Sequence, residues 1–326
     1  MRYPASEKIE IIRLVEQSHL PVRRTLAMIG IPRATFYRWY DLYQTGGPEA
    51  LADRSPRPSR VWNRIPDVIR DKLVQLALDQ PELSPRELAV RFTDTERYFV
   101  SEASVYRLLK AHDLISSPAF IVMKAADEFK DKTTAPNQLW QTDFTYLKVA
   151  GWGWFYLSTV LDDFSRYIVA WKLCTTMTAG DVTDTLGLAL QASGLDRVAV
   201  VHRPRLLSDN GASYVSGELA QWLDRESIRH IRGAPYHPMT QGKIERWHQT
   251  LKNRILLENY YLPGDLQAEI DTFVEHYNTR RYHESLDNLT PADVYTGRGE
   301  AIHRERERIK RQTILQRRLQ HIQHAA

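Results

Sequence analysis

The chain has 326 residues, 43% of them apolar, with 44 Lys+Arg against 40 Asp+Glu. That length predicts two or three domains with full hydrophobic cores. A lone cysteine, Cys174, excludes a disulfide or zinc–cysteine framework and reads as a small buried hydrophobe. No stretch is apolar enough for a membrane span or a signal peptide, so a cytoplasmic protein without membrane partners is expected.

The charge is unevenly spread. Residues 1–65 hold 11 Lys+Arg against 6 Asp+Glu, residues 298–326 hold 8 against 3, and the middle holds 25 against 31. Basic ends around an acidic centre suit DNA-gripping termini that flank a metal-dependent core, although charged ends also serve solubility alone.

Residues 1–46 read as three short helices. Ser6 is the expected cap of the first, with Ile9, Ile12 and Val15 at helical spacing. Pro21 opens a second with Leu26 and Ile29 inward, Gly30 turns the chain, and Pro32 opens a third running Arg33-Ala34-Thr35-Phe36-Tyr37-Arg38-Trp39-Tyr40. This is a helix-turn-helix pattern whose last helix would enter the major groove. Arg33, Thr35 and Arg38 are its candidate DNA contacts, while Phe36 and Trp39 pack inward. A three-helix core without DNA function is the alternative.

Residues 47–65 form a Pro/Arg linker in which Arg57 and Arg60 are candidates for phosphate contact. A second helix-turn-helix domain is expected over 66–116, with apolar residues at 65, 69, 73 and 76. Ser84-Pro85-Arg86-Glu87 opens its second helix as a capping box, and Ser101 caps a third that carries Arg107, another candidate DNA contact. Residues 117–136 are a linker.

From 137 the pattern changes to strands: 139–149, 154–162 and 167–175, then a helix over 178–191, a short buried strand at 205–208, a helix over 216–226 and a strand at 228–231. Long helices follow over 240–258 and 265–280. Three meander strands followed by alternating helices and strands make a mixed α/β sheet in the order of a ribonuclease H-like core, here 137–298. A basic helical tail, 299–326, carries Ile302, Ile309, Leu315, Leu319 and Ile322 as an apolar stripe. The expected architecture is multidomain: two all-α helix-turn-helix domains, an α/β core and a C-terminal basic helix.

Three carboxylates stand out in that core. Asp143 lies mid-strand, where Asp is disfavoured and costly to bury unpaired. Asp209 closes a short apolar run before Asn210-Gly211, and Glu245 opens a long helix. Taken singly, Asp209 reads as a turn residue and Glu245 as a solvated helix glutamate. Two strands and a helix that each deliver one acid to one place build a site for two Mg²⁺ ions and phosphodiester chemistry. Asp162 and Asp163, adjacent acids after a strand, read as loop hydrogen-bonding residues.

The combination Leu139-Trp140-Gln141-Thr142-Asp143, Val160-Leu161-Asp162-Asp163-Phe164-Ser165-Arg166, Leu207-Ser208-Asp209-Asn210-Gly211, Pro235-Tyr236-His237-Pro238, Gln241-Gly242-Lys243-Ile244-Glu245-Arg246, Tyr277-Asn278 and Leu289-Thr290-Pro291 resembles bacterial insertion-sequence DDE transposases, whose catalytic core is similar to that of retroviral integrases. The resemblance implies that Asp143, Asp209 and Glu245 are the catalytic, metal-binding triad. It implies two Mg²⁺ per site, with Mn²⁺ able to substitute. It puts Lys252, seven residues after Glu245, on DNA phosphate, makes 235–242 a mobile loop, and assigns Gln241 and Lys243 to the DNA end. His237 and His248 are assigned to packing or DNA contact rather than proton transfer. The implied function is a DNA transposase that binds terminal inverted repeats, hydrolyses a strand at the ends and joins the 3′-hydroxyl to target DNA. Double-stranded DNA and a homo-oligomer formed on it would be the partners. A ribonuclease H-like nuclease without strand transfer, a transposase-derived regulator and a DNA-bridging protein are the alternatives.

Overall fold

The computed structural model describes residues 3–52, 61–115, 133–197, 203–233 and 241–323. They fall into two compact units, residues 1–62 and 63–326.

The first unit contains α1 (Ala5–Gln17), α2 (Val22–Met28) and α3 (Arg33–Gly46), followed by a 3₁₀ turn over Pro48–Leu51. Its core is Ile12, Val15, Leu26, Ile31, Phe36, Trp39 and Leu51. Phe36 and Trp39 point inward as their spacing requires. Ile29 does not: it is exposed, and Ile31 fills that place after Gly30 turns the chain at φ +72°. Pro4 rather than Ser6 precedes α1, so Ser6 lies within the first turn and caps nothing. Lys8 is buried and donates to the Leu51 carbonyl at 3.0 Å, which ties the 3₁₀ turn back to α1.

The second unit opens with α4 (Asp67–Asp79), α5 (Pro85–Glu96) and α6 (Glu102–Ala111) around Leu73, Leu88, Phe92, Val105 and Leu109. The Ser84–Glu87 capping box forms as its sequence prescribes, each side chain taking the other's backbone N–H. Ser101 precedes α6, but its hydroxyl meets Ser104 instead of a backbone N–H.

A five-stranded sheet follows, in the order β3-β2-β1-β4-β5. Its strands are β1 (Leu139–Val149), β2 (Gly153–Asp162), β3 (Ile168–Cys174), β4 (Arg205–Ser208) and β5 (His230–Arg232). The first three pair antiparallel, while β4 runs parallel to β1 and β5 parallel to β4. One face buries Trp140, Val160 and Leu206 under α7 (Ala179–Ser193) and α8 (Gly217–Arg225). The other buries Leu147, Leu157 and Leu161 under α9 (Gly242–Ile255) and α10 (Pro263–Thr279). Cys174 is buried, as expected.

Two side chains set the outer edge of this core. Asn278 on α10 accepts from the Ile168 N–H at 2.9 Å and donates to the Ile168 carbonyl at 3.0 Å, so one amide satisfies both backbone groups where β3 begins. Beside it, Tyr277 meets the His283 ring edge to face at 5.0 Å.

After α11 (Pro291–Tyr295), the helix α12 (Gly299–Gln323) packs on α5. Arg306 grips Asp94 through two bonds of 2.8 and 2.6 Å, and Arg317 bonds Tyr98, the Phe99 carbonyl and Asn63. The buried stripe of this helix is therefore Ile309, Thr313 and Arg317, four residues apart each time. Leu315, Leu319 and Ile322, the rest of the expected apolar stripe, are exposed. Among the described residues, no helix is long and apolar enough to cross a membrane.

Candidate active site

Asp143 is the fifth residue of β1. The parallel register pairs Gln141 with Leu207, so two residues further on Asp143 stands level with Asp209, the first residue past β4. Past Gln141 that edge of β1 has no ladder partner, which leaves room for carboxylates between strand ends. Asp209 folds back on its own turn, and its Oδ1 accepts from the Gly211 N–H at 2.9 Å. A Cβ at position 211 would stand 3.1 Å from that oxygen, which is why glycine suits the position. Asn210 fixes the turn from the other side by donating to the Gly233 carbonyl at 2.8 Å.

Glu245 stands in the first turn of α9, which is held down by Ile244, Trp247, Leu251 and Ile255. A polar network sets where that helix starts. Gln141 accepts from the Ile244 N–H at 3.2 Å and donates to Asp163 at 2.7 Å. Lys243 closes the network with 2.9 Å contacts to both the carboxylate and the carbonyl of Asp163. Gln241 is buried and reaches the Thr142 carbonyl at 3.5 Å. Gln241 and Lys243, expected on DNA, thus bind the protein's own chain and hold the start of α9 against β1.

The result is electrostatic crowding. The Glu245 carboxyl is raised, first by partial desolvation where the residue meets the sheet and then by Asp143, with His248 and Arg246 opposing the shift. His248, one turn later, puts Nδ1 3.5 Å from an Asp143 oxygen, so it faces the candidate triad. Tyr214 lies beneath the strand ends, its phenol driven well up by burial and then by the charges of Asp143 and Asp209. Neither Tyr214 nor the His248–Asp143 contact could be found by sequence reasoning, since nothing in a lone tyrosine or histidine signals a partner so far along the chain.

The neighbouring pair of acids behaves differently. Asp162 accepts from Ser165 N–H and Oγ and from the Asn137 N–H, and Asp163 is filled by Thr133, Gln141 and Lys243. They are structural, as their loop setting suggested. By contrast, no described residue donates a hydrogen bond to Glu245, and Asp209 and Glu245 are exposed. Among the described residues no group of three or more His, Cys, Asp or Glu side chains is drawn close enough to hold a metal ion. Asp143 contacts His248 and its charge acts on Glu245, while Asp209 stays turned onto Gly211. The donor set is nevertheless of the right chemistry: carboxylate oxygens from three elements, with no Lys or Arg salt bridge to them among the described residues.

The remaining candidates are dispersed. Arg33 and Arg38 are exposed on α3, with Thr35 partly buried beside them. Arg107 is exposed on α6 and bonds back to its own helix at Ala103 and Ser104. Lys252 lies on α9 with its ammonium 4.1 Å over the Tyr146 ring. Arg57, Arg60 and the loop segment 234–240, with His237, lie outside the described residues.

Comparison with known proteins gives these elements a common context. Patterns described as an integrase core domain match residues 133–238 and 226–291. A helix-turn-helix domain matches 7–59, and a homeodomain-like domain matches 35–109. The transposase for insertion sequence element IS904 of Lactococcus lactis is 30% identical over 167 residues, covering 50% of this chain and 62% of that protein. Transposase InsF for insertion sequence IS3A of Escherichia coli is 29% identical over 160 residues, covering 48% of this chain and 54% of its own length. The chain thus spans little more than half the length of the curated relatives it matches. Among solved structures, a simian T-cell lymphotropic virus intasome in complex with PP2A regulatory subunit B56 gamma aligns at 19% identity and TM-score 0.45, over 68% of this chain and 74% of that one. The HTLV-2 integrase catalytic core domain in complex with magnesium aligns at 23% identity and TM-score 0.39, over 50% and 99%. The chain thus carries helix-turn-helix patterns ahead of an integrase core domain, and over about half of its length it is similar to bacterial insertion-sequence transposases.

Proposed function

We propose that the protein is a DNA transposase acting in the bacterial cytoplasm, with Asp143, Asp209 and Glu245 as its catalytic acids. The observation that carries the reading is the sheet register, which sets Asp143 level with Asp209 past the end of β4, with the Asp143 charge acting on Glu245 in the first turn of α9. Carboxylates brought toward one another from separate elements favour a bound cation over mutual repulsion. Asp143, Asp209 and Glu245 would hold two Mg²⁺ ions. When bound, these supply an activated oxygen nucleophile and neutralise charge at phosphorus.

The chain's own residues then hold and orient. The Gln141–Asp163–Lys243 network and the buried Gln241 hold the start of α9, and with it Glu245, against β1, and His248 contacts the Asp143 carboxylate. In hydrolysis a water oxygen bonds to phosphorus as the bond to the 3′ oxygen breaks, and the freed 3′ oxygen takes a proton. In joining, that hydroxyl attacks a second phosphodiester, one P–O bond replacing another, so neither an energy-rich cofactor nor a covalent protein–DNA bond is required. Arg33, Thr35 and Arg38 on α3 and Arg107 on α6 would contact the terminal repeats, with Arg57 and Arg60 on the intervening phosphates. Lys252 would meet DNA beside the acids. Joining two ends calls for at least a dimer on DNA.

The test is Asp143→Asn in the full chain. Mg²⁺-dependent cleavage of a labelled terminal-repeat duplex should disappear while binding to the same duplex stays within about twofold. Equal loss of both would make Asp143 structural. Cleavage without joined products in the wild-type chain would reduce the activity to that of a nuclease.

A further inference from the structure

The far end of β1 carries a second feature, three residues beyond Asp143, about 10 Å along the strand and on the opposite face of the pleat. Tyr146 and Trp154 meet edge to face at 5.5 Å, yet each is more than half exposed, at 58% and 54%. Lysines bracket the pair: Lys252 lies 4.1 Å over the Tyr146 ring, and Lys148, paired with Trp154 across the β1–β2 ladder, lies 5.8 Å from the Trp154 ring. Large aromatics on a solvent-facing strand cost free energy in water and contribute nothing to either core of the sheet. Two half-exposed rings flanked by two ammonium groups are the elements of a single-strand platform: rings for bases and lysines for the backbone. A duplex offers only its edge and its phosphates, since its bases are stacked on each other. A strand freed from pairing offers both of the chemistries present here.

We infer that Tyr146 and Trp154, with Lys148 and Lys252, form a stacking subsite for unpaired nucleotides at a DNA end, holding the strand that leaves the duplex across the open edge of β1 from Asp143. This rests on the proposed action on DNA ends, and charge complementarity selects nucleic acid over an apolar protein partner.

The experiment compares binding of the full chain, in magnesium-free buffer, to a blunt duplex and to the same duplex with a short unpaired tail. Tryptophan fluorescence reports stacking. The wild-type chain should prefer the tailed duplex, with quenching. Trp154→Ala and Tyr146→Ala should each lower affinity for the tailed duplex by about tenfold and leave the blunt duplex within about twofold. Tyr146→Phe should keep the preference. Both rings are exposed, so the fold should tolerate these changes, which circular dichroism checks. Equal loss on both duplexes, or none on either, overturns the subsite. So does an altered oligomeric state with unaltered tail binding, which would give the patch to a protein contact. Intact Mg²⁺-dependent cleavage without a tail preference would sink this inference alone. Tail preference without any cleavage would sink the catalytic reading alone.

Discussion

His283 should make the second unit sensitive to acid, by an amount that can be worked out. Its pKa is lowered to about 3, first by burial and then by Arg281, Arg166 and Arg86. Its Nε2 is buried with no hydrogen-bond partner among the described residues. An unfolded histidine titrates near 6.5, so between about pH 6.5 and pH 3 the unfolded chain binds a proton that the folded chain refuses. The folded pKa is depressed, so this stability is fully present above about pH 6.5 and is lost as pH falls toward 3. From pH 7 to pH 5 the loss is about 2 kcal/mol, a ceiling because the residue is partly open to solvent. With a urea m-value of about 3 kcal/mol/M, the midpoint should fall by up to about 0.7 M. His283→Phe keeps a ring against Tyr277 and removes the titration. Trp247, 4.6 Å from Tyr277, gives the fluorescence signal. The variant should lose clearly less stability than wild type between pH 7 and pH 5. Identical losses would refute the burial argument. His230 and His276 are lowered in the same direction and contribute equally to both proteins.

Other outcomes follow from single contacts. Asn278→Ala strands a buried N–H and carbonyl at Ile168 and should cost about 2–4 kcal/mol in urea unfolding; a cost below about 1 would mean water replaces the amide. Arg306→Ala leaves Asp94 unpaired, and because Asp94 is partly exposed the cost should be about 2–3 kcal/mol. A double-mutant cycle with Asp94→Ala should show coupling, and additivity would refute it. Arg33→Ala and Arg38→Ala should leave stability unchanged. Each should weaken full-chain binding to the terminal repeat, by about 1–3 kcal/mol of discrimination where it touches a base. Equal weakening on a scrambled duplex would make them phosphate contacts only.

Local structure was legible because it is written in local periods. Alternation over 139–149 and the bounded apolar run at 205–208 gave β1 and β4 residue for residue. The capping box at Ser84 fixed the start of α5. Resemblance singled out the three acids, but sequence could not show that Asp143 bears on Glu245 across a hundred residues while Asp209 turns onto Gly211. Polar residues at a helix entrance look free in a sequence, so Gln241 and Lys243 were expected on DNA. Their partners, the Thr142 carbonyl and Asp163, lie 99 and 80 residues away. Arg306 is likewise just one charge of a basic tail in the sequence, because its partner Asp94 lies 212 residues earlier.

That last separation governs when the protein can become itself. A nascent chain emerges amino-terminus first, and its segments fold as they appear. The three-helix unit around α5 reaches the solvent early, but the arginines that seal Asp94, Tyr98 and the Phe99 carbonyl are made more than 200 residues later. Until α12 is synthesised, one side of α5 stays uncovered and Asp94 has no counter-ion. Contacts of such sequence separation close slowly. A message broken before the codon for Arg306 would therefore yield a sheet and its helices with an open flank. Quality control could remove that product before it met any ligand.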